Sequence, residues 1–266
     1  MELSFRGAHD RCFLRTPTHI YLLPHPALRP MVAHYTLCLA GPVAPHGTAL
    51  TLIPDASGCL VFDLGPGGLE GRMYGPTTQT VTVQNDLGQC PFRFFVECRP
   101  GGLYGLTGLP QWELADRVWP LADTAPALER AVAEAFYSSR DLDRFITAVD
   151  ALLLSRPAFA NPAAPLLAGM AAGALEPGES GYSPRHLSRL FREGAGMGHK
   201  AFLRVLRVNA AVRRLSEGVP SLTVLAQELG YYDQSHFIHD FRSVCGLTPG
   251  AYTGRLEDFY NEPLKL

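Results

Sequence analysis

The chain has 266 residues, 47% of them hydrophobic and 18% charged, which places it among ordinary soluble globular proteins with room for two domains. No run approaches the roughly 18 consecutive apolar residues of a membrane span, and the start MELSFRGAHD lacks the basic n-region of a signal peptide, so no membrane partner and a cytoplasmic location are expected. The net charge of −2 divides unevenly: Ser180 to Arg255 holds ten Lys plus Arg against five Asp plus Glu, with His186, His199, His236 and His239 among them, and the remainder carries −7. A basic module joined to an acidic one points to nucleic acid for the first, although an Arg-rich solvated helical face would give the same count.

From Thr18 to about Trp119 the sequence alternates short β-type runs, ALTLIP, CLVFDL, TVTVQN and FRFFVEC, with turn signals such as GPGG and RPGG. This pattern predicts an antiparallel sandwich or barrel. The six cysteines, Cys12, Cys38, Cys59, Cys90, Cys98 and Cys245, form no CxxC pair, so reduced and mostly buried thiols are expected rather than a zinc ribbon or redox pair. His25, His34 and His46 are scattered through this part. They are read as structural residues, with convergence on a metal as the competing reading.

After Pro120 the texture becomes helical. In DLDRFITAVDALLLSR, Leu142, Phe145, Ile146, Val149, Leu152 and Leu153 recur at helical spacing behind the capping residue Asp141. That stripe is either a dimer face or a surface that packs on the β-rich part. RPAFANPAAP then marks a Pro-rich break, beyond which the chain reads as helical to about Arg255. Nucleotide loops, HExxH and GxSxG are absent.

One short helix is written twice. GYSPRHLSRLFREGAG and GYYDQSHFIHDFRSVCG align with Ser183 on Asp233, an offset of 50, so that His186 meets His236, Phe191 meets Phe241, Arg192 meets Arg242 and Gly196 meets Gly246. Ser183 before Pro184, and Asp233 before Gln234, are helix caps. In the first copy Leu187, Leu190 and Phe191 share one side, opposite Arg185, Ser188, Arg189 and Arg192. In the second, Phe237, Phe241 and Val244 form the apolar stripe. Ser235, His239 and Arg242 point outward, and Gln234 and Ile238 lie at the margins. SLTVLAQELG before the second copy supplies a helix capped by Ser221 and ended by Gly230, the grammar of a helix-turn-helix. HKAFLRVLRVNAAVRRLSEG predicts a joining helix of about 27 Å, against about 34 Å for one DNA turn.

SLTVLAQELGYYDQSHFIHDFRSVCGLTPGAYTGR resembles the signature of AraC/XylS-type transcriptional regulators, and SPRHLSRLFREGAGMGHKAFLRVLRVNAAVRRL is similar to the half that precedes it. LIPDASGCLVFDLG and FFVECRPGGLYGLTGLP resemble a sensor domain of one branch of such regulators. The resemblance implies an α+β chain: a cupin-like antiparallel β-barrel at 1–122, a helical linker with possible dimerisation at 123–158, an all-α domain with two helix-turn-helix units at 159–256, and a tail at 257–266. It also implies a regulator, in most of the family an activator, with double-stranded DNA, RNA polymerase and an effector or protein partner as ligands, a possible homodimer, and no cofactor or catalysis. Carried over position by position, the base-contacting residues are Arg185, Ser188 and Arg189 in the first helix and Gln234, Ser235, Ile238 and His239 in the second. Arg192, Lys200, Arg207 and Arg242 contact phosphate. Pro177 stands where the family has a scaffold helix and should break or shorten it. His239 and Asp240 stand where a basic residue is common, which predicts a weaker second helix. The competing expectation is a metal-binding or enzymatic barrel fused to a degenerate DNA-binding module.

Overall fold

The computed structural model describes residues 10–16, 18–38, 49–84, 90–218 and 221–256. The N-terminal half contains strands β1 (Cys12–Arg15), β2 (His19–Leu22), β3 (Val32–Cys38), β4 (Ala49–Leu52), β5 (Cys59–Gly65), β6 (Gly68–Tyr74), β7 (Val81–Gln84), β8 (Arg93–Cys98) and β9 (Val118–Pro120). Seven of them form one sheet in the order β1-β2-β3-β8-β5-β6-β9, and β4 pairs with β7 alone. Every pairing is antiparallel. The GPGG signal is the β5–β6 hairpin, in which Gly65 pairs with Gly68 and the positive φ of Gly68, 118°, closes the turn.

The expected cupin-like barrel does not form. Among the described residues the large sheet is open, with β1 and β9 at its edges, and no ladder joins them. Period-two burial, clear in β6 and β8, fixes which side of a strand is apolar but not what covers it. Here helices cover it. The half contains α1 (Gly102–Thr107), α2 (Gln111–Leu114), α3 (Leu121–Thr124), α4 (Pro126–Ser138) and α5 (Leu142–Ser155). Leu128, Val132 and Phe136 of α4, with Phe145, Ile146 and Val149 of α5, share one core with Tyr35, Phe62, Phe92 and Phe94. Phe92 and Phe136 lie 4.5 Å apart by ring centroid, and Phe94 meets Phe145 edge-on at 5.0 Å. Each such buried ring contributes about 1.5–3 kcal/mol, so closing the sheet is unnecessary. Buried Asp150 on α5 adds polar anchoring: it accepts from Tyr35 Oη at 2.8 Å and His25 N at 3.1 Å and pairs with Arg11. The apolar stripe of α5 therefore packs on the chain's own sheet.

The C-terminal half is all helix: α6 (Ala164–Ala171), α7 (Pro184–Ala195), α8 (His199–Glu217), α9 (Leu222–Glu228), α10 (Gln234–Cys245) and α11 (Pro249–Thr253). Two cores lie side by side. Phe191 and Phe202 centre the first, and Phe237, Phe241 and Tyr252 the second. The sheet half reaches into both, because Ile53 is buried in the second core and Ala56 in the first. Asn209, near the middle of α8, donates from Nδ2 to the Pro54 carbonyl at 3.0 Å.

Candidate nucleic-acid interface

Both copies of the repeated helix form where their caps predict. Ser183 accepts from His186 N at 3.3 Å to open α7, and Asp233 accepts from His236 N at 2.7 Å to open α10. Each ends on a left-handed glycine, Gly196 at φ 78° and Gly246 at φ 73°, a conformation that favours residues without a Cβ. α8 runs for 19 residues, about 28 Å, between the units. Pro177 has its expected effect: only a 3-10 turn, Pro177–Glu179, stands where a scaffold helix would precede α7, and it buries none of its residues. Before α10, by contrast, α9 forms fully, with Ser221 as its cap and Leu225 and Ala226 buried.

On α7, Arg185, Arg189 and Arg192 are exposed along one side, opposite buried Leu187 and Phe191. Arg189 Nη2 lies 3.3 Å from His186 Nδ1, and the Tyr182 ring stacks on His186 at 4.8 Å. Ser188 is half-buried. Its Oγ is 2.9 Å from Nδ1 of buried His199, so the hydroxyl already has an intramolecular partner. Burial, and secondarily the charge of Lys200, hold the His199 imidazole below its ordinary pKa. Lys200 itself is exposed at the start of α8.

On α10, Ser235, His239 and Arg242 are exposed, Gln234 is half-buried, and Ile238 leans on the second core. Thr223 Oγ1 donates to Gln234 Oε1 at 2.7 Å, which orients the amide and leaves its NH2 available. Asp240 does not face solvent with its neighbours. It is buried, 3.1 Å from Arg204 Nε on α8 and 3.8 Å from His236 Nε2 and His239 Nδ1. Arg207 is half-buried over the Tyr231 ring at 4.8 Å, and burial pushes that phenol up to about 12 against the pull of the guanidinium.

Three features of this surface escape sequence reasoning. Arg204 carries no outward signal in an apolar helix, yet it ties α8 to α10. Tyr232, just ahead of the α10 cap, is 93% exposed. Trp112 of α2, distant in sequence, borders the open concavity in front of α7 with Arg185, Arg189 and Arg192. The two described histidines of the metal reading, His25 and His34, have other partners. Among the described residues no three His, Cys, Asp or Glu side chains come together as a metal site. His25 instead accepts from Ala27 N in a 3-10 turn, His34 packs edge-on against Tyr21, and His46 lies outside the described residues. Among the described residues the six cysteines form no disulfide. Burial pushes Cys38 and Cys245 up to about 12, out of the reactive range. No described helix is long and apolar enough to cross a membrane.

Two capped helices set against a shared long helix, each with a polar outer side and the second preceded by α9, have the arrangement of a helix-turn-helix domain, the class that docks helices into DNA grooves. Residues 178–255 match the family described as "Helix-turn-helix domain", and residues 21–120 match a "Domain of unknown function (DUF6597)". The HTH-type transcriptional regulator GlxA of Rhizobium meliloti is 37% identical over 76 residues, 29% of this chain and 24% of that protein. An uncharacterized HTH-type transcriptional regulator of Escherichia coli, YpdC, is 35% identical over 75 residues, 28% of this chain and 26% of that protein. The chain thus spans about a quarter of the length of these relatives, both of them regulators by description. The crystal structure of ToxT from Vibrio cholerae aligns at 11% identity over 77% of this chain and 88% of that one, with a TM-score of 0.36. Residues 178–255 are a DNA-binding helix-turn-helix domain, and they resemble the AraC/XylS type.

Proposed function

We propose that the chain is a sequence-specific transcription regulator whose sheet domain answers an effector or protein partner and changes DNA binding or polymerase recruitment. The observation that carries this reading is the duplicated, capped helix with a cationic or polar outer side at a constant offset of 50 residues. In it Arg185, Ser188 and Arg189, and in the second unit Gln234, Ser235, Ile238 and His239, read bases. Arginine suits guanine O6 and N7, and Gln234 suits adenine N6 and N7. Arg192, Lys200, Arg207 and Arg242 hold phosphates and set register. The tethering of Ser188 to His199 and of Arg207 to Tyr231 makes these two the weaker contributors.

Activation, RNA polymerase as a partner and a cytoplasmic location are added to the proposal from the family resemblance alone. Self-association would need a surface other than the α5 stripe, which is buried in the chain's own core, and sedimentation at several concentrations decides it. The test of the central proposal is genome-wide mapping of bound DNA, followed by affinity for the recovered duplex with and without Arg189→Ala. Loss of one bidentate base contact costs about 1–3 kcal/mol. A chain that shows no preference over competitor DNA sinks the proposal.

A further inference from the structure

The first reading unit lacks the preceding helix that α9 gives the second, and the sheet domain touches it directly. Helix α2 lies against the C-terminal end of α7. A Cβ on Gly196 would fall 2.8 Å from the Gln111 carbonyl oxygen and 2.7 Å from Pro76 Cγ, so the approach is close and its position fixed. Asn161 reinforces it, its Nδ2 lying 3.1 Å from both the Gly101 and the Gly194 carbonyl oxygens.

The residue after Gln111 is Trp112, 47% exposed. It forms one wall of an open concavity of about 700 Å³ whose other wall is the outer side of α7, with Arg185, Ser188, Arg189, Arg192 and one acid, Glu193. Three guanidiniums against one carboxylate select a polyanion. The indole offers what a sugar–phosphate strand accepts, a flat apolar face for the sugar and a single N–H donor for the phosphate. Trp112 does not screen the arginines, all three of which remain exposed.

We propose that α2 of the sheet domain is one wall of the first DNA-reading groove, with Trp112 against the sugar–phosphate strand beside the major groove that α7 enters. The proposal rests on the DNA-reading function above and extends the interface beyond the helix-turn-helix domain. A sensor that touches the DNA transmits its state by moving a contact rather than through a distant hinge.

The chain has two tryptophans, so Trp119→Phe leaves Trp112 as the reporter in the full-length protein. The measurements are anisotropy of the labelled duplex recovered by mapping, and acrylamide quenching of Trp112 with and without that duplex. Trp112→Ala is expected to weaken binding about three- to tenfold, the size of one net hydrogen bond. The loss should be similar on scrambled DNA, the melting temperature unchanged, and Trp112→Phe should recover part of it. The duplex should shield Trp112 from acrylamide. Wild-type affinity in Trp112→Ala overturns the proposal, as does tighter binding with Trp112 more exposed on DNA, which would make α2 an obstruction. A full-length chain without any sequence preference sinks the underlying function instead, so the two failures are told apart.

Discussion

Replacing Asp240 by asparagine should lower stability and leave DNA affinity no better, although sequence reading alone marks an acid at this position as a handicap to binding. The carboxylate is 6% exposed and its partner Arg204 is 42% exposed, with Nε to Oδ1 at 3.1 Å. At an effective dielectric of 20 two unit charges at that separation attract by about 5 kcal/mol. Most of that is offset by desolvating the carboxylate, and the half-exposed guanidinium can turn to water when its partner is lost. The net cost therefore falls between a surface pair and a buried one, about 1–2 kcal/mol. Urea denaturation of the wild type, Asp240→Asn, Arg204→Met and the double variant isolates the pair, with a coupling of about 1 kcal/mol expected. A coupling below about 0.3 kcal/mol, or Asp240→Asn binding its duplex more tightly than wild type, refutes the assignment of Asp240 to the α8–α10 joint.

Two further outcomes follow from the geometry. Because burial keeps the His199 imidazole below its ordinary pKa of 6.5, the unfolded chain takes up that proton first, so its contribution is complete above about pH 6.5 and declines below it. His199→Gln should flatten the fall in urea midpoint between about pH 7.5 and about pH 5.5, and parallel profiles for the two proteins would dismiss the effect. Lys200→Ala and Arg242→Ala should each weaken binding to all duplexes alike and reduce the slope of log affinity against log salt by about one, as loss of one phosphate contact requires. Unchanged slopes would place these exposed cations off the DNA.

Local rules made the helical half legible and left the sheet half less so. A cap, a glycine stop and a 3.6-residue period are written within a dozen residues, which is why α7, α9 and α10 begin after Ser183, Ser221 and Asp233 and end before Gly196, Gly230 and Gly246. Pro177 acted as locally as expected. The closure of a sheet depends on partners distant in sequence. Alternation in β6 and β8 marked an apolar side, but only the packing of Phe136 and Phe145 onto it shows that helices rather than further strands cover that side. The same limit hid the state of individual site residues. Ser188 reads as outward by angle, yet His199, eleven positions on, holds its hydroxyl. Asp240 reads as an acid where a basic residue is common, yet it is buried beside Arg204 of α8.

The repeat also shows how the sheet domain is joined to both readers. The carbonyl of Gly194 in the last turn of α7 faces Asn161 Nδ2, which also reaches Gly101 of the sheet domain, and the carbonyl of Val244 in the last turn of α10 accepts from Thr80 N at 3.3 Å. These two carbonyls lie at the same offset of 50 as the caps, and both are helix-end acceptors that intrahelical bonds leave open. Ile53 and Ala56, three residues apart, are buried in different helical cores, while Asn209 holds the Pro54 carbonyl between them. The separation of the two units is therefore held twice, by α8 and by the segment from Ile53 to Ala56. α8 belongs to the helical domain and is stiff. The segment belongs to the sheet domain and ends just before β5, a central strand of the large sheet. The segment thus ties the sheet domain to both helical cores and, through Asn209, to α8 itself.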